Sequence, residues 1–358
     1  MKITAARADL IRAVQNVHKG KSIIPILGGM LLEARGGNLT VTTTNLEVSI
    51  RCSVPLSVVE EGALCLPSRQ LVDIIKAIPD DEVRIQSEGD AAKILYNNSQ
   101  ISLNGFSPEQ FPEMPEVSGQ ARIVIPAKLL LEAVNQTVYA TLKDMTRPIF
   151  TGVLFDCDKN LKLVATDAHR LALWESHIQT QATNVIVPAE ALSEVAKIAR
   201  NTEEVIIGID NNYIKFEMGN TILFSKLIGG QYPNYQQVIP REFISVLTVK
   251  TAEFAGAVTR ASLLLEDISA VVQITLNSIV TLSVDTPAGW IREKINASYQ
   301  GDPIDIYFNA HYLIDALRAI NSGEVSINFT SPLSAAVIKP ASGDDKYLSL
   351  LLPARVNR

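Results

Sequence analysis

The sequence predicts an α+β protein made of three repeated units, each with two helices packed on an antiparallel sheet. Three observations carry that prediction. One order of elements recurs in each third of the chain. Within each third the apolar spacing changes twice from alternation to a helical period of about 3.6, the mark of a strand running into a helix. A Glu-Val pair (Glu82-Val83, Glu204-Val205, Glu324-Val325) opens the last stretch of each third and fixes the register between them.

The elements follow in order. Each unit opens with a strand and an amphipathic helix, in Lys2–Val17, Ile123–Val138 and Val246–Ala261. Two period-2 strands around a polar or Gly/Pro turn come next, in Asn38–Val54, Asn160–Ser176 and Ile279–Ala297. A second strand-helix passage occupies Ala63–Ile78, Val185–Arg200 and Ile304–Ile320. Pro67 and Pro188 stand where its helix begins, a place where the missing N–H costs nothing. A β-meander closes each unit. Pro, Gly and polar residues cluster at Pro112–Arg122 and Tyr232–Phe243. Domains are therefore expected at 1–119, 120–242 and 243–358.

Composition sets outer limits. A chain of 358 residues, 47% hydrophobic and 20% charged, has ample material for more than one core. No apolar run reaches the roughly 18 residues of a membrane span. Arg7, Asp9 and Arg12 interrupt the start, unlike the apolar stretch of a secretory leader. Cys52, Cys65 and Cys157 are odd in number, with no CxxC and no histidine at metal spacing. They read as buried apolar residues in a reducing compartment, so the cytoplasm is the expected location and no metal or cofactor is expected.

The net charge is −6, which argues against a protein coated onto nucleic acid. The six helical stretches run the other way, with nine basic residues against seven acidic ones. Such a face is either an ordinary solvated surface or a mildly positive one suited to a phosphate backbone, and composition does not choose between them.

Enzyme signatures are missing. There is no GxGxxG, GxxxxGK[ST], GxSxG or HExxH. The stretch "VATDAHRLAL" (Val164–Leu173) is the one local concentration of polar chemistry. Asp167 beside His169 offers a general base in principle, and a hydrolase-like enzyme is the alternative reading. Only Thr166 and Ser176 stand nearby as nucleophiles. Strand alternation would place Asp167 and His169 on one face, with Ala168 and Arg170 on the other. The remaining readings are a polar turn between strands and the lip of a binding site.

The threefold order, the acidic chain with basic helices and five motifs together resemble the bacterial sliding clamp family, the β subunits of DNA polymerase III. The motifs are "PILGGMLLEA" (Pro25–Ala34), "ATDAHRLAL", "QYPNYQQVIP" (Gln231–Pro240), "FNAHYLIDAL" (Phe308–Leu317) and "LLLPARV" (Leu350–Val356). The resemblance spans the full length. It implies a non-enzymatic homodimer whose six clamp-type domains close head to tail around duplex DNA, helices lining the hole. It also implies a peptide-docking pocket for the replicative polymerase alpha subunit, the clamp loader and other proteins bearing a clamp-binding motif (repair polymerases, ligase, mismatch repair). Replisome or nucleoid association in the cytoplasm follows from the same likeness, with no membrane partner.

Carried over residue by residue, the pocket falls on Thr166, His169, Arg170, Leu171, Pro233, Val238, Ile268, Asn309, Tyr312, Leu333, Leu352, Pro353, Ala354 and Arg355. DNA-facing positions fall on Lys21, Arg69, Lys76, Arg147 and Lys197. The dimer seam falls on Ile101 and Leu103 of the first unit and Leu263 and Leu264 of the third, residues that read equally as core. The chain departs from the family pattern in four places. Ala168 stands where glycine is common, Gln237 where a basic residue is usual, Ile268 for an aromatic and Ala354 for methionine.

Overall fold

The computed structural model describes residues 1–17, 24–79, 82–115, 117, 121–180, 183–265, 271–343 and 346–355. Lys21 and Ile268, two of the expected site residues, lie outside the described residues.

The first repeat runs β1 (Lys2–Ala6), α1 (Arg7–Val17), β2 (Gly29–Arg35), β3 (Asn38–Thr44), β4 (Val48–Pro55) and β5 (Ser57–Glu60). It continues with β6 (Gly62–Pro67), α2 (Ser68–Ala77), β7 (Glu82–Glu88), β8 (Ala91–Tyr96) and β9 (Ser99–Asn104). The second repeat has β10 (Ala121–Pro126), α3 (Ala127–Thr137), β11 (Gly152–Asp156), β12 (Asn160–Thr166) and β13 (Arg170–Gln179). Then come β14 (Val185–Pro188), α4 (Ala189–Ile198), β15 (Glu204–Ile209), β16 (Tyr213–Met218) and β17 (Thr221–Lys226). The third has β18 (Ser245–Lys250), α5 (Thr251–Ser262), β19 (Val271–Leu276), β20 (Val280–Thr286), β21 (Gly289–Ile295) and β22 (Ala297–Gly301). It ends with β23 (Ile304–Asn309), α6 (Ala310–Arg318), β24 (Glu324–Phe329), β25 (Ala336–Pro340) and β26 (Tyr347–Leu351). Every expected helix is present, the fourth and the last each two residues shorter than its apolar period suggests.

Three strands have no place in the expected repeat: β2, β11 and β19. β11 is buried on both faces, so the alternation that marks a half-exposed strand is absent from Gly152–Asp156. The short outer strands β5 and β22 are likewise additions.

The chain forms two compact units, 1–130 with 194–227, and 131–193 with 228–358. The first holds a five-stranded sheet ordered β5-β1-β7-β8-β9 and an eight-stranded sheet ordered β10-β15-β16-β17-β4-β3-β2-β6. The second holds a nine-stranded sheet ordered β14-β11-β12-β13-β26-β25-β24-β18-β22 and a four-stranded sheet ordered β21-β20-β19-β23. Two of these sheets pass from one repeat into the next. Thr221–Ser225 of β17 pairs antiparallel with Val48–Cys52 of β4, and Arg170–Trp174 of β13 pairs with Tyr347–Leu351 of β26. In both cases the last meander strand of one repeat adds to the second hairpin strand of the repeat before it. β9 and β21, the strands at the equivalent places, are sheet edges.

The helices bury one stripe each. α1 presents Leu10, Ala13, Val14 and Val17, and α2 presents Leu71, Val72 and Ile75, the spacing of a single helical face. In the second unit α5 buries Phe254, Ala257, Val258 and Ala261 beside α6, which buries Leu313, Ile314 and Leu317. Each large side chain so buried stabilises the fold by about 1.5–3 kcal/mol. The cysteines are free and buried; burial pushes the Cys65 thiol up to about 12 and Cys157 to about 11. Among the described residues no helix is long and apolar enough to cross a membrane.

Candidate functional site

The site begins with a turn. β12 ends at Thr166 and β13 starts at Arg170, so Asp167, Ala168 and His169 are turn residues and not strand residues. The alternation expected for Asp167 and His169 therefore does not apply: Asp167 is buried and His169 exposed. Asp167 Oδ1 accepts the backbone N–H groups of His169 at 2.9 Å and Arg170 at 3.0 Å. Thr166 Oγ1 accepts the N–H of Ala168 at 3.1 Å and donates to the Arg170 carbonyl at 2.6 Å. Ala168 takes φ +75, a left-handed conformation that favours glycine.

Beneath the turn lies Arg170. Its Nε donates to Asp167 at 2.9 Å, one Nη to Asp315 at 2.7 Å and the other to the Tyr139 carbonyl at 2.6 Å. The guanidinium lies 4.3 Å from the Tyr312 ring centroid and 5.3 Å from that of Tyr139, a double cation–π arrangement. The hydroxyls of half-buried Tyr139 and buried Tyr347 meet at 2.7 Å, and desolvation raises the pKa of each. The resemblance places Arg170 on the polar lip of the pocket, and its side chain there is engaged from within the protein. It is buried and bonded within the protein, so it positions the turn.

The same geometry disposes of acid–base chemistry at Asp167. Every hydrogen bond its carboxylate accepts comes from backbone N–H groups or from Arg170, and the His169 ring instead stacks on Tyr312 at 6.3 Å. Ser176 is buried and donates to the Leu161 carbonyl. Among the described residues no nucleophile–base pair forms at this turn.

The described residues of the expected pocket all belong to the second unit. Leu171 is buried in a cluster with Leu154, Val164, Leu173, Tyr235, Val337 and Leu350. Val238 is 59% exposed and Leu333 83%, apolar surface left open. Pro233 is exposed. Asn309 caps α6 by accepting the Tyr312 N–H at 3.1 Å, so like Thr166 it shapes the lip. The tail is held: Leu352 N–H donates to the His169 carbonyl at 3.0 Å and Ala354 N–H to the Tyr307 carbonyl at 2.8 Å. Chain ends ordinarily fray, and these two bonds tie this one down as far as Ala354. Pro353 is half-buried, and Arg355, like His169, is exposed.

Sequence reasoning missed Tyr235, which sits inside the QYPNYQQVIP motif. Its hydroxyl donates to buried Asp156 at 2.6 Å while its ring enters the apolar cluster. It also missed Tyr139 and Asp315, which lie far from Arg170 in the chain.

The other expected positions divide by local charge. Arg69 faces Asp73 at 3.8 Å and Lys197 pairs with Glu194 at 3.0 Å. Lys76 and Arg147 are exposed and form no ion pair among the described residues. Ile101 and Leu103 are half-buried on edge strand β9. Leu263, 79% exposed, and half-buried Leu264 follow α5, whose Arg260 is paired with Glu293 of edge strand β21.

Comparison with known proteins gives three consecutive family matches. They are the DNA polymerase III beta subunit N-terminal domain over residues 1–115, the central domain over 123–234 and the C-terminal domain over 236–355. The beta sliding clamp of Staphylococcus epidermidis is 33% identical over 375 residues, covering 99% of each chain. The Bacillus subtilis sliding clamp structure superposes with a TM-score of 0.94 at 29% identity, covering 100% of both chains. The Bartonella birtlesii clamp, solved bound to griselimycin, gives a TM-score of 0.95 at 28% identity, covering 99% of this chain and 100% of its own.

Proposed function

Because the chain belongs to the DNA polymerase III beta subunit family, the beta sliding clamps, we propose that its surfaces divide three tasks: closing a ring, sliding on DNA and docking peptides. It is a DNA sliding clamp of three α+β clamp domains and not an enzyme. The domains run 1–119, 120–242 and 243–358.

One observation carries the ring. β17 adds to β4 and β26 adds to β13, so by the same rule β9 adds to β21 of a second copy. Such a heterologous contact is head to tail and makes a ring when its rotation closes, here as a homodimer. β9 (Ser99–Asn104) carries no charge or proline, and an edge of that kind needs a covering partner. Ile101, Leu103, Leu263 and Leu264 supply the apolar part of the seam.

A closed ring holds duplex DNA topologically, so contacts from Lys21, Arg69, Lys76, Arg147 and Lys197 need only be weak and blind to sequence. The pocket around Leu171, Val238, Leu333 and the Leu352–Arg355 tail takes a short extended peptide, its apolar side chains on the cluster and its polar groups near His169 and Arg355. Ile268 belongs to the same pocket by family position. Its guests are the polymerase alpha subunit, the clamp loader and other motif-bearing replication and repair proteins, in the cytoplasm at the replisome. The test is retention: the protein loaded on circular DNA stays bound and leaves when the circle is cut. Loss from uncut circles as fast as from linear DNA overturns the reading.

A further inference from the structure

The backbone of the turn at the pocket lip recurs in the other unit, held by the same three side-chain-to-N–H bonds, although the Thr44 hydroxyl bonds that of Ser49 where Thr166 bonds the Arg170 carbonyl. Thr44, Asn45, Leu46 and Glu47 join β3 to β4 as Thr166, Asp167, Ala168 and His169 join β12 to β13. Thr44 Oγ1 accepts the Leu46 N–H at 3.0 Å, and Asn45 Oδ1 accepts those of Glu47 at 3.1 Å and Val48 at 2.7 Å. Leu46 has φ +72 where Ala168 has +75. The Glu47 carbonyl accepts the Lys226 N–H at 2.8 Å, as the His169 carbonyl accepts that of Leu352.

Beside this second turn is an open cavity of about 190 Å³, lined by Leu46, Glu47, Ser49, Tyr213 and Phe224 and by the segment Glu113, Met114 and Pro115. It falls short of the roughly 300–1,000 Å³ of a small-molecule site, and suits a side chain or two of a peptide. Its chemistry differs from that of the first pocket. Glu47 stands where His169 does, and Glu113 adds a second carboxylate with no ion pair among the described residues. Among the described residues Glu47 forms one ion pair, with Lys226 at 3.7 Å and largely in solvent. Leu46 is 55% exposed despite a backbone conformation that bulky side chains seldom adopt, which is strain kept at a surface position.

We propose that this cavity is a second peptide-docking site, selective for an extended partner segment with an arginine or lysine beside a large apolar side chain. The cation lies between Glu47 and Glu113, and the apolar side chain covers Leu46, Met114 and Phe224. The proposal rests on the peptide-docking reading of the related turn but takes a different guest, so the two fail separately.

Methionine-methyl NMR of the intact protein tests it, because Met114 lines the cavity and Met30, Met145 and Met218 serve as controls. The probe is the blocked pentapeptide Gly-Arg-Leu-Phe-Gly, set against Gly-Glu-Leu-Phe-Gly and a Gln-Leu-Phe peptide of the kind expected at the first pocket. The arginine peptide is expected to shift Met114 saturably while the controls stay put. Glu47→Gln with Glu113→Gln, both on exposed side chains, should weaken that binding about tenfold by removing two solvent-exposed charges. A Met114 signal that ignores the arginine peptide, or answers the glutamate peptide equally, overturns the proposal. So does unchanged affinity in the double variant. If the Gln-Leu-Phe peptide fails to bind while Met114 answers the arginine peptide, the first docking reading falls and this one stands.

Discussion

Arg170 and Asp315 meet at 2.7 Å across 145 residues of sequence, joining the β12–β13 turn to helix α6. The partners differ in setting. The Arg170 side chain is 6% exposed and that of Asp167 5%, whereas that of Asp315 is 40% exposed. Breaking a buried pair leaves a charge without a counterion, whereas breaking a half-solvated one lets water in.

That asymmetry sets the first prediction. Arg170→Ala should cost about 3–5 kcal/mol, because Asp167 is left buried and unpaired and two tyrosine faces lose their cation. Asp315→Asn should cost about 1 kcal/mol or less after allowing for solvent screening. Urea denaturation of the two variants measures the difference. Equal losses would show that Arg170 is not the anchor of the turn.

The repeat, its six helices and most strands were legible because periodicity is local. What escaped was non-local or lacked a period. β11 is buried at every residue, so nothing alternates. The burial of Arg170 depends on Tyr139, Asp315 and Tyr312, none of them near it in sequence; the polar turn itself is among the sequence readings, but not which of its residues face inward. The sheet continuations β4–β17 and β13–β26 also join distant segments, and it is they that mark β9 and β21 as the matching free edges.

The tail yields a second prediction. Leu352 and Ala354 are tied to the His169 and Tyr307 carbonyls, and Leu352 is 45% exposed. Removing Leu352 to Arg358 takes away one wall of the pocket and frees two carbonyls beside it. Binding of a Gln-Leu-Phe peptide, read by calorimetry, should be lost while native mass spectrometry still reports a dimer. Unchanged peptide affinity would move the pocket elsewhere.

The seam supports a third. Changing Leu263 and Leu264 together to glutamate should give monomers that do not remain on circular DNA. Because Ser99–Asn104 carries no charge, the wild-type dimer should hold between about 0.05 and 1 M salt, roughly the range over which exposed ion pairs are screened out. A dimer that falls apart in high salt would point to ionic contacts in place of the apolar ones.

Local charge gives a fourth. Lys76 and Arg147 form no ion pair among the described residues, Arg147 having only the looser attraction of Asp144, while Arg69 and Lys197 each pair with a carboxylate. Replacing Lys76 and Arg147 with alanine should reduce the salt slope of DNA binding by about 2, at roughly 0.9 for each phosphate no longer neutralised. The Arg69 and Lys197 pair of alanines should reduce it by less than about 1. The effect should be the same on any duplex sequence, as measured by fluorescence anisotropy. A base preference would contradict a sliding contact.

Ala168 closes the set. Its φ of +75 places Cβ in the left-handed region, at a cost of about 1–2 kcal/mol for a residue with a side chain. Glycine removes that strain but gains freedom in the unfolded chain, which returns about 0.5–1 kcal/mol. The difference favours glycine, so Ala168→Gly should stabilise the protein by about 0.5–1 kcal/mol. Ala168 is exposed, and the turn is already held by Thr166 and Asp167, so no packing is given up. Leu46→Gly, at φ +72 in the related turn, relieves a bulkier side chain but gives up the part of it that lines the cavity, so it should gain less than Ala168→Gly. Denaturation midpoints of the two variants decide it; a loss of stability in Ala168→Gly would mean that the alanine methyl packs well enough to outweigh the strain.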